Sequence, residues 1–305
     1  MNCVWDMETG DPDDFITLLL LLGHPRVKLK GVTITPGTPD QVGVVRHALA
    51  LFERDLPVGV FDIEHQTKSA QRGESPKDGR HGPRGRCVSS WHYKAMGPMP
   101  ASRDAVPAPA LLRELCDDDT TLVTGGPLKN LGAALKLEGF RLGRLVVQGG
   151  FAGEGVVPPE RQLAKFRGMT TCPTYNLNGD PKSALAAIAS TAIREKRFVS
   201  KNVCHGVIYD AALHERFAAV KHHSRSLALI HKAMTAYLDE SPDGKKFHDP
   251  LAACCAIDPS IGEWAEVELY RENGLWGSRL APGSGVNIIV DYDRAKFIDT
   301  LTAHA

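Results

Sequence analysis

Apolar residues in this chain follow two alternating rhythms. Short runs rich in β-branched residues alternate with longer stretches in which apolar side chains recur every three or four positions. Asn2–Trp5 and Val27–Thr35 read as strands. So do Thr121–Thr124 and Leu145–Gln148, each running into a glycine pair. Phe15–Leu22 is apolar except for Thr17 and reads as a buried helix. Gln41–Glu53 sets Val42, Val45, Ala48, Leu49 and Phe52 on one helical face. Leu128–Leu137 and Pro181–Ile193 read as helices that follow strands. Val286–Val290 is a late strand, and a final helix begins at Asp293. This alternation predicts an α/β fold with a central, mostly parallel sheet flanked by helices. His65–Pro107, rich in Gly, Pro, Arg and His, and Gly149–Pro173 break the rhythm. They read as long excursions, which in a compact domain usually serve function. No repeat or domain boundary stands out, so residues 1–305 read as one domain.

Composition narrows the class. With 305 residues, 43% of them hydrophobic, the chain can bury a substantial core. Its 36 basic and 36 acidic residues leave no electrostatic footprint for nucleic acid or an anionic membrane. No run approaches the roughly 18 apolar residues of a membrane-spanning helix. Seven scattered cysteines without a CxxC pair predict reduced thiols and a cytoplasmic protein. Asp6 and Glu8 interrupt the first apolar stretch, so the start of the chain does not read as a signal peptide.

Against this balance, Asp6, Glu8, Asp11, Asp13 and Asp14 crowd into nine positions just before the Phe15–Leu22 run. Carboxylates share a site readily when a hard cation such as Ca²⁺ or Mg²⁺ takes their oxygens. The alternative is a solvated acidic loop, with Asp13 or Asp14 at a helix N-terminus. The acids follow the first strand, and open parallel sheets bind ligands at the carboxyl ends of their strands. Far along the chain, His248-Asp249-Pro250 offers another carboxylate, as a returning ligand, as a helix cap before Pro250, or as both.

The acidic stretch resembles the N-terminal signature of the nucleoside hydrolase family, the inosine–uridine-preferring N-ribohydrolases. In that signature a strand, an Asp-x-Asp pair and a Gly lead to Asp-Asp at a helix start. Here Asp6-Met7-Glu8 stands for the first pair and Asp13-Asp14 for the last. Further motifs follow in the family's order. They are HPRVKLKGVTITPG (His24–Gly37), RHGPRG (Arg80–Gly85), TGGPLKNLGAAL (Thr124–Leu135), VVQGGF (Val146–Phe151), YNLNGDPKSA (Tyr175–Ala184), FHDPLAACCAIDP (Phe247–Pro259) and NIIVDYDRAKF (Asn287–Phe297). The His-Asp-Pro-Leu-Ala match is the most specific.

The resemblance implies hydrolysis of the N-glycosidic bond of a ribonucleoside or similar compound. It implies a Ca²⁺ held by several of Glu8, Asp13, Asp14, Asp249 and the carbonyl of Gly125. Asp13 would also meet the sugar hydroxyls. Glu8, or Asp13, would take a proton from water, and His81 or His248 would serve the leaving base. Asn176 matches a sugar-binding Asn, His248 would line the base pocket, and Tyr237 stands where an aromatic covers it. Simpler readings coexist: His81 as a solvated loop residue among arginines, Tyr237 as core packing, Asp6 as a brace of its loop, Asp11 as a turn residue after Gly10. The chain departs from the pattern at Glu8, at Thr38 and at Thr174, where the family carries an acid, and Gly168 falls near a usual Asn. Arg167 adjoins these changes, and Arg80, Arg84 and Arg86 lie in another loop. Together they point to a ligand altered at its 5′ end. The departures leave two other readings open: a non-catalytic, metal-dependent ribosyl-ligand binding protein, and a glycosidase on another ribosyl or sugar compound such as a 5′-modified nucleotide. A homodimer or homotetramer is expected.

Overall fold

The computed structural model describes residues 1–61 and 87–304. His81, Arg80, Arg84 and Arg86 lie outside the described residues. Among the described residues thirteen strands run in chain order: β1 Asn2–Met7, β2 Lys28–Ile34, β3 Val58–Val60, β4 Val106–Pro107, β5 Thr120–Thr124, β6 Leu142–Gln148, β7 Thr171–Cys172, β8 Ile193–Val199, β9 Ile208–Tyr209, β10 Lys245–Lys246, β11 Gly262–Glu272, β12 Leu275–Leu280 and β13 Val286–Tyr292. Eleven of them form one sheet in the order β4-β3-β2-β1-β5-β6-β8-β13-β11-β12-β7, and β9 and β10 pair separately. Pairing is parallel from β4 through to β13. It turns antiparallel across β11, β12 and β7. The expected mostly parallel α/β sheet is therefore present.

The chain lays β2, β3 and β4 outward on one side of β1 and β5, β6 and β8 on the other. This reversal opens a crevice at the carboxyl ends of β1 and β5, the natural ligand position of such sheets. β1 is covered on both faces. Cys3, Trp5 and Met7 join one apolar cluster and Val4 the other, as the two-residue strand period dictates.

The helix Pro12–Gly23 starts where Pro12 needs no N–H donor, with Asp13 and Asp14 in its first turn. Every residue from Asp13 to Leu22 is buried, because Arg225–Leu238 and His248–Ile257 pack over it. A helix apolar on all sides belongs in an interior. Its first turn carries the acids there as well.

Several expected elements differ. The helix from Pro181 ends at Ala189, and Ile193 instead opens β8 opposite Leu142 of β6. Sheet pairing thus overrides the helical reading of that last apolar residue. The helix after β5 is shorter than expected, Lys129–Ala134. The expected excursion 65–107 contains the helix Ser90–Met96, whose Trp91 and His92 rings meet Phe15 edge-on. Gly149–Pro173 holds two short 3-10 turns and β7. The hairpin β11–β12 is absent from the sequence reading. It turns at Asn273-Gly274, both with positive φ, in a two-residue loop. All seven cysteines lack a disulfide. Among the described residues no helix is long and apolar enough to cross a membrane.

Candidate active site

β1 ends at Met7, and the next turns bring its acids to the crevice. The backbone N–H of Glu8 donates to Asp14 Oδ1 at 3.0 Å, which folds the loop back on the start of the helix Pro12–Gly23. Asp13 reaches across the molecule. Its Oδ2 accepts the N–H groups of His248 (3.1 Å) and Asp249 (3.3 Å). Asp13 therefore caps the distant helix His248–Ile257. Asp249 lies in the first turn of that helix and does not supply its cap, contrary to the cap reading. With Asp249 released from capping, one oxygen from each of Asp13, Asp14 and Asp249 lies within 4.8 Å of the others, all buried.

Burial holds the carboxyls of Asp14 and Asp249 well above their ordinary range, and their acidic neighbours push them further up. Among the described residues, one cation adjoins the group. Lys245 Nζ lies 2.8 Å from Asp11 Oδ1 and 3.2 Å from Asp13 Oδ1. Burial alone would lower this ammonium, but the Asp13 and Asp11 carboxylates outweigh it and raise it. Lys245 neutralises the Asp13 side and leaves Asp14 and Asp249 without a cationic partner among the described residues. A set of hard oxygen donors with uncompensated charge fits a divalent cation. Gly125, at the end of β5, packs directly on this group. A methyl group there would meet Trp5 Cη2 at 2.5 Å and the Asp249 carboxylate at 2.9 Å. Only the bare glycine backbone fits between them.

Asp6 and Glu8 stand outside the triad. Asp6 Oδ1 accepts from Thr33 Oγ1 and Asn130 Nδ2, each at 2.7 Å. It braces β1 against β2 and the helix Lys129–Ala134, and burial raises its carboxyl to about 7. Glu8 lines a cavity of about 580 Å³ with Thr35, Pro127, Lys129, Thr174 and Lys201. Burial raises its carboxyl to about 7, against the pull of Lys129.

Asn176 is buried and ties the neighbouring strand ends together. Its Nδ2 donates to Gly125 O (3.0 Å), Gln148 O (2.9 Å) and Gln148 Oε1 (2.7 Å). Thr174 is buried, and its hydroxyl has no hydrogen-bond partner. His248 stacks on His205 with ring centroids 4.7 Å apart, and its buried Nε2 is also unpartnered. Burial and then Lys245 lower the His248 imidazole to about 3, so it is neutral at ordinary pH. Tyr237 is half-buried against the main apolar cluster. Arg167 is exposed at the end of the turn Ala164–Phe166 and is not among the residues lining the cavity. The cations that do line it, Lys129 and Lys201, were not singled out from sequence, and neither were Lys245, Asn130, Thr33 and Gln148. Two lysines just before the His-Asp-Pro motif were the visible signal for Lys245.

A parallel sheet with carboxylates gathered at its switch point makes a ligand site, and comparison with known proteins identifies the class. The model of the inosine-uridine preferring nucleoside hydrolase family matches residues 3–299. The chain belongs to this family and is an N-glycosidase that acts on ribonucleosides. It is 26% identical over 316 residues to the pyrimidine-specific ribonucleoside hydrolase RihA of Klebsiella pneumoniae, covering 95% of this chain and 93% of that one. It is 26% identical over 277 residues to the probable uridine nucleosidase 2 of Arabidopsis thaliana, covering 86% and 80%. The fold matches an inosine-guanosine nucleoside hydrolase with a TM-score of 0.70 at 17% identity, covering 99% of this chain and 97% of that one. It also matches the inosine-uridine preferring nucleoside hydrolase of Bacillus anthracis with a TM-score of 0.67 at 18% identity, covering 99% and 98%.

Proposed function

We propose that this enzyme hydrolyses its ribonucleoside with Ca²⁺ as cofactor, within a single domain, using the residues gathered at the ends of β1 and β5. The observation that carries this reading is the buried triad of Asp13, Asp14 and Asp249, whose oxygens lie within 4.8 Å of one another. With the Gly125 carbonyl, these residues would hold the ion. When bound, the ion supplies Lewis acidity that lowers the pKa of a coordinated water and orients the ribose diol.

The chain's own groups perform the remaining work. Glu8, with a carboxyl near 7, takes the proton of the attacking water. A carbon–oxygen bond forms at the anomeric carbon while the bond to the base nitrogen breaks, its electron pair leaving with the base. The surrounding carboxylates stabilise the positive charge that develops on the sugar. Asp13 is fixed by two backbone N–H groups and orients a sugar hydroxyl. Asn176, its amide N–H groups spent on two strand ends, has its side-chain oxygen left to accept a hydrogen bond from a sugar hydroxyl. His248 is neutral and has a free Nε2, so it donates or accepts a hydrogen bond at the leaving base and is not a reservoir of imidazolium. The test is nucleobase release from a panel of ribonucleosides, with added Ca²⁺ and after chelation. Release that survives full chelation, or occurs with no ribonucleoside in the panel, overturns the reading.

A further inference from the structure

The cavity of about 580 Å³ beside Glu8 is larger than a proton-transfer site needs, and its chemistry differs from that of the acidic triad. Two ammonium groups line it, from Lys129 just after β5 and Lys201 just after β8, against the single carboxylate of Glu8. Its charge among these described residues is therefore net positive, a few residues from a cluster of acids. Both lysines are half-buried. Lys201 Nζ donates to the carbonyl of Pro173 at 2.9 Å, which fixes its position and leaves two N–H donors. Lys129 Nζ lies over the Phe61 ring, 5.9 Å from its centroid.

The cavity wall also carries Thr174, a residue 3% exposed whose hydroxyl oxygen is buried and unpartnered. A buried hydroxyl without a partner is costly, and it is usually explained by a ligand or a water. Two lysines and a hydroxyl-bearing residue on the wall of one hollow are donors that an oxyanion with several acceptors takes.

From these features we propose that the cavity receives the 5′-phosphate of a ribonucleoside 5′-monophosphate, held by Lys129, Lys201 and Thr174. The assignment to the 5′ end rests on the reading of His248 as the base contact. His248 is not among the residues lining this cavity. The diol is engaged at the carboxylates, so the remaining handle on the ribose is its 5′ oxygen. Phosphate on that oxygen enters a hollow of opposite charge. The cations assigned to the phosphate are thus these two lysines, in place of Arg167.

The experiment compares catalytic efficiency for a ribonucleoside, its 5′-monophosphate, its 3′-monophosphate and a nucleoside with a carboxylated base. It is run on the wild-type protein and on Lys129→Met and Lys201→Met. Binding of ribose 5-phosphate and of ribose is measured alongside by calorimetry, with no turnover required. The expected result is at least a tenfold preference for the 5′-monophosphate, falling about tenfold in either variant. Ribose 5-phosphate should bind more tightly than ribose, again through the lysines. Equal efficiency for nucleoside and 5′-monophosphate, with no lysine-dependent binding of ribose 5-phosphate, overturns the inference while leaving nucleoside hydrolysis intact. A preference for the carboxylated base or the 3′-monophosphate also overturns it. Lysine-dependent binding of ribose 5-phosphate without hydrolysis of any nucleoside supports the phosphate site and counts against the catalytic reading instead.

Discussion

The ammonium of Lys245 and the carboxylate of Asp13 come from opposite ends of the chain and meet at 3.2 Å in the interior. Both side chains are almost wholly buried, 7% and 3% exposed. Asp11 completes the contact from the surface side at 2.8 Å. The lysine therefore serves as a resident counter-charge for an acidic cluster that would otherwise depend entirely on a bound cation.

Replacing Lys245 with Met should make folding depend on the cation. Removing one partner of a buried ion pair typically costs roughly 3–5 kcal/mol. Thermal unfolding in chelator should show a lower Tm than wild type, with Ca²⁺ restoring more of the stability than it adds to the wild-type protein. Equal melting temperatures in chelator would show that the pair carries no such burden.

Asp249→Asn should abolish hydrolysis and preserve the fold. The amide keeps the shape of the side chain but removes a charged donor from the triad. Loss of a group that only supports a metal ligand commonly costs 10–100-fold, so loss of a ligand should cost at least about a hundredfold. Stability in chelator should rise, because Asp14 and Asp13 lose a repelling neighbour. Near-normal nucleobase release from this variant would remove Asp249 from the site.

Glu8 sets the expected pH dependence. Burial, together with Asp6 and Asp11, lifts its carboxyl to about 7, while Lys129 pulls it down. A base acts when deprotonated, so kcat/KM should rise with pH as Glu8 loses its proton, and a bound divalent cation should place that limb below the value of about 7 that holds without it. Lys129→Met should move that limb to higher pH. Stability without metal should run in the opposite sense. Asp6 and Glu8 bind protons more tightly folded than unfolded, so their contribution is full below the ordinary carboxylate range and is lost as pH rises through about 7. A pH–rate profile and urea unfolding of the metal-free protein across this range check both signs. A flat rate profile would exclude Glu8 as the base.

Gly125→Ala should be destabilising out of proportion to one methyl group. The added carbon would meet Trp5 and the Asp249 carboxylate at 2.5 and 2.9 Å. Overpacking of this kind costs about 1–3 kcal/mol. Chemical denaturation should show the loss, and nucleobase release should fall with it because Asp249 is displaced. Wild-type stability in the alanine variant would mean that this strand end yields freely.

The Asn-Gly turn illustrates a signal that was present in the sequence. Asn273-Gly274 joins two strands paired from Glu272–Leu275 outward, and this dipeptide is a strong short-range hairpin cue. The strands went unread because β11 lacks clean alternation: its burial is mixed along much of its length. Ile193 shows the converse. Its apolar side chain continues a helical pattern, but pairing with Leu142 decides its state.

The sequence by itself determined what depends on near neighbours. The change of apolar period marks strands and helices, and hence the parallel sheet. The acids directly after β1 lie at its carboxyl end wherever the rest of the chain runs. The His-Asp-Pro motif marks a second carboxylate. Tertiary structure alone decided which groups meet across the crevice. Asp13 caps a helix 235 residues away, Asn130 reaches Asp6 across 124 residues, and Lys245 closes on the acids from a short two-stranded ribbon. Lys129 and Lys201 come to one cavity because β5 and β8 both end at the same edge of the sheet, with β6 between them. Strand order fixes these encounters, and the local pattern of a chain does not encode strand order. Two residues far apart in sequence become neighbours only once the sheet has put their strand ends side by side.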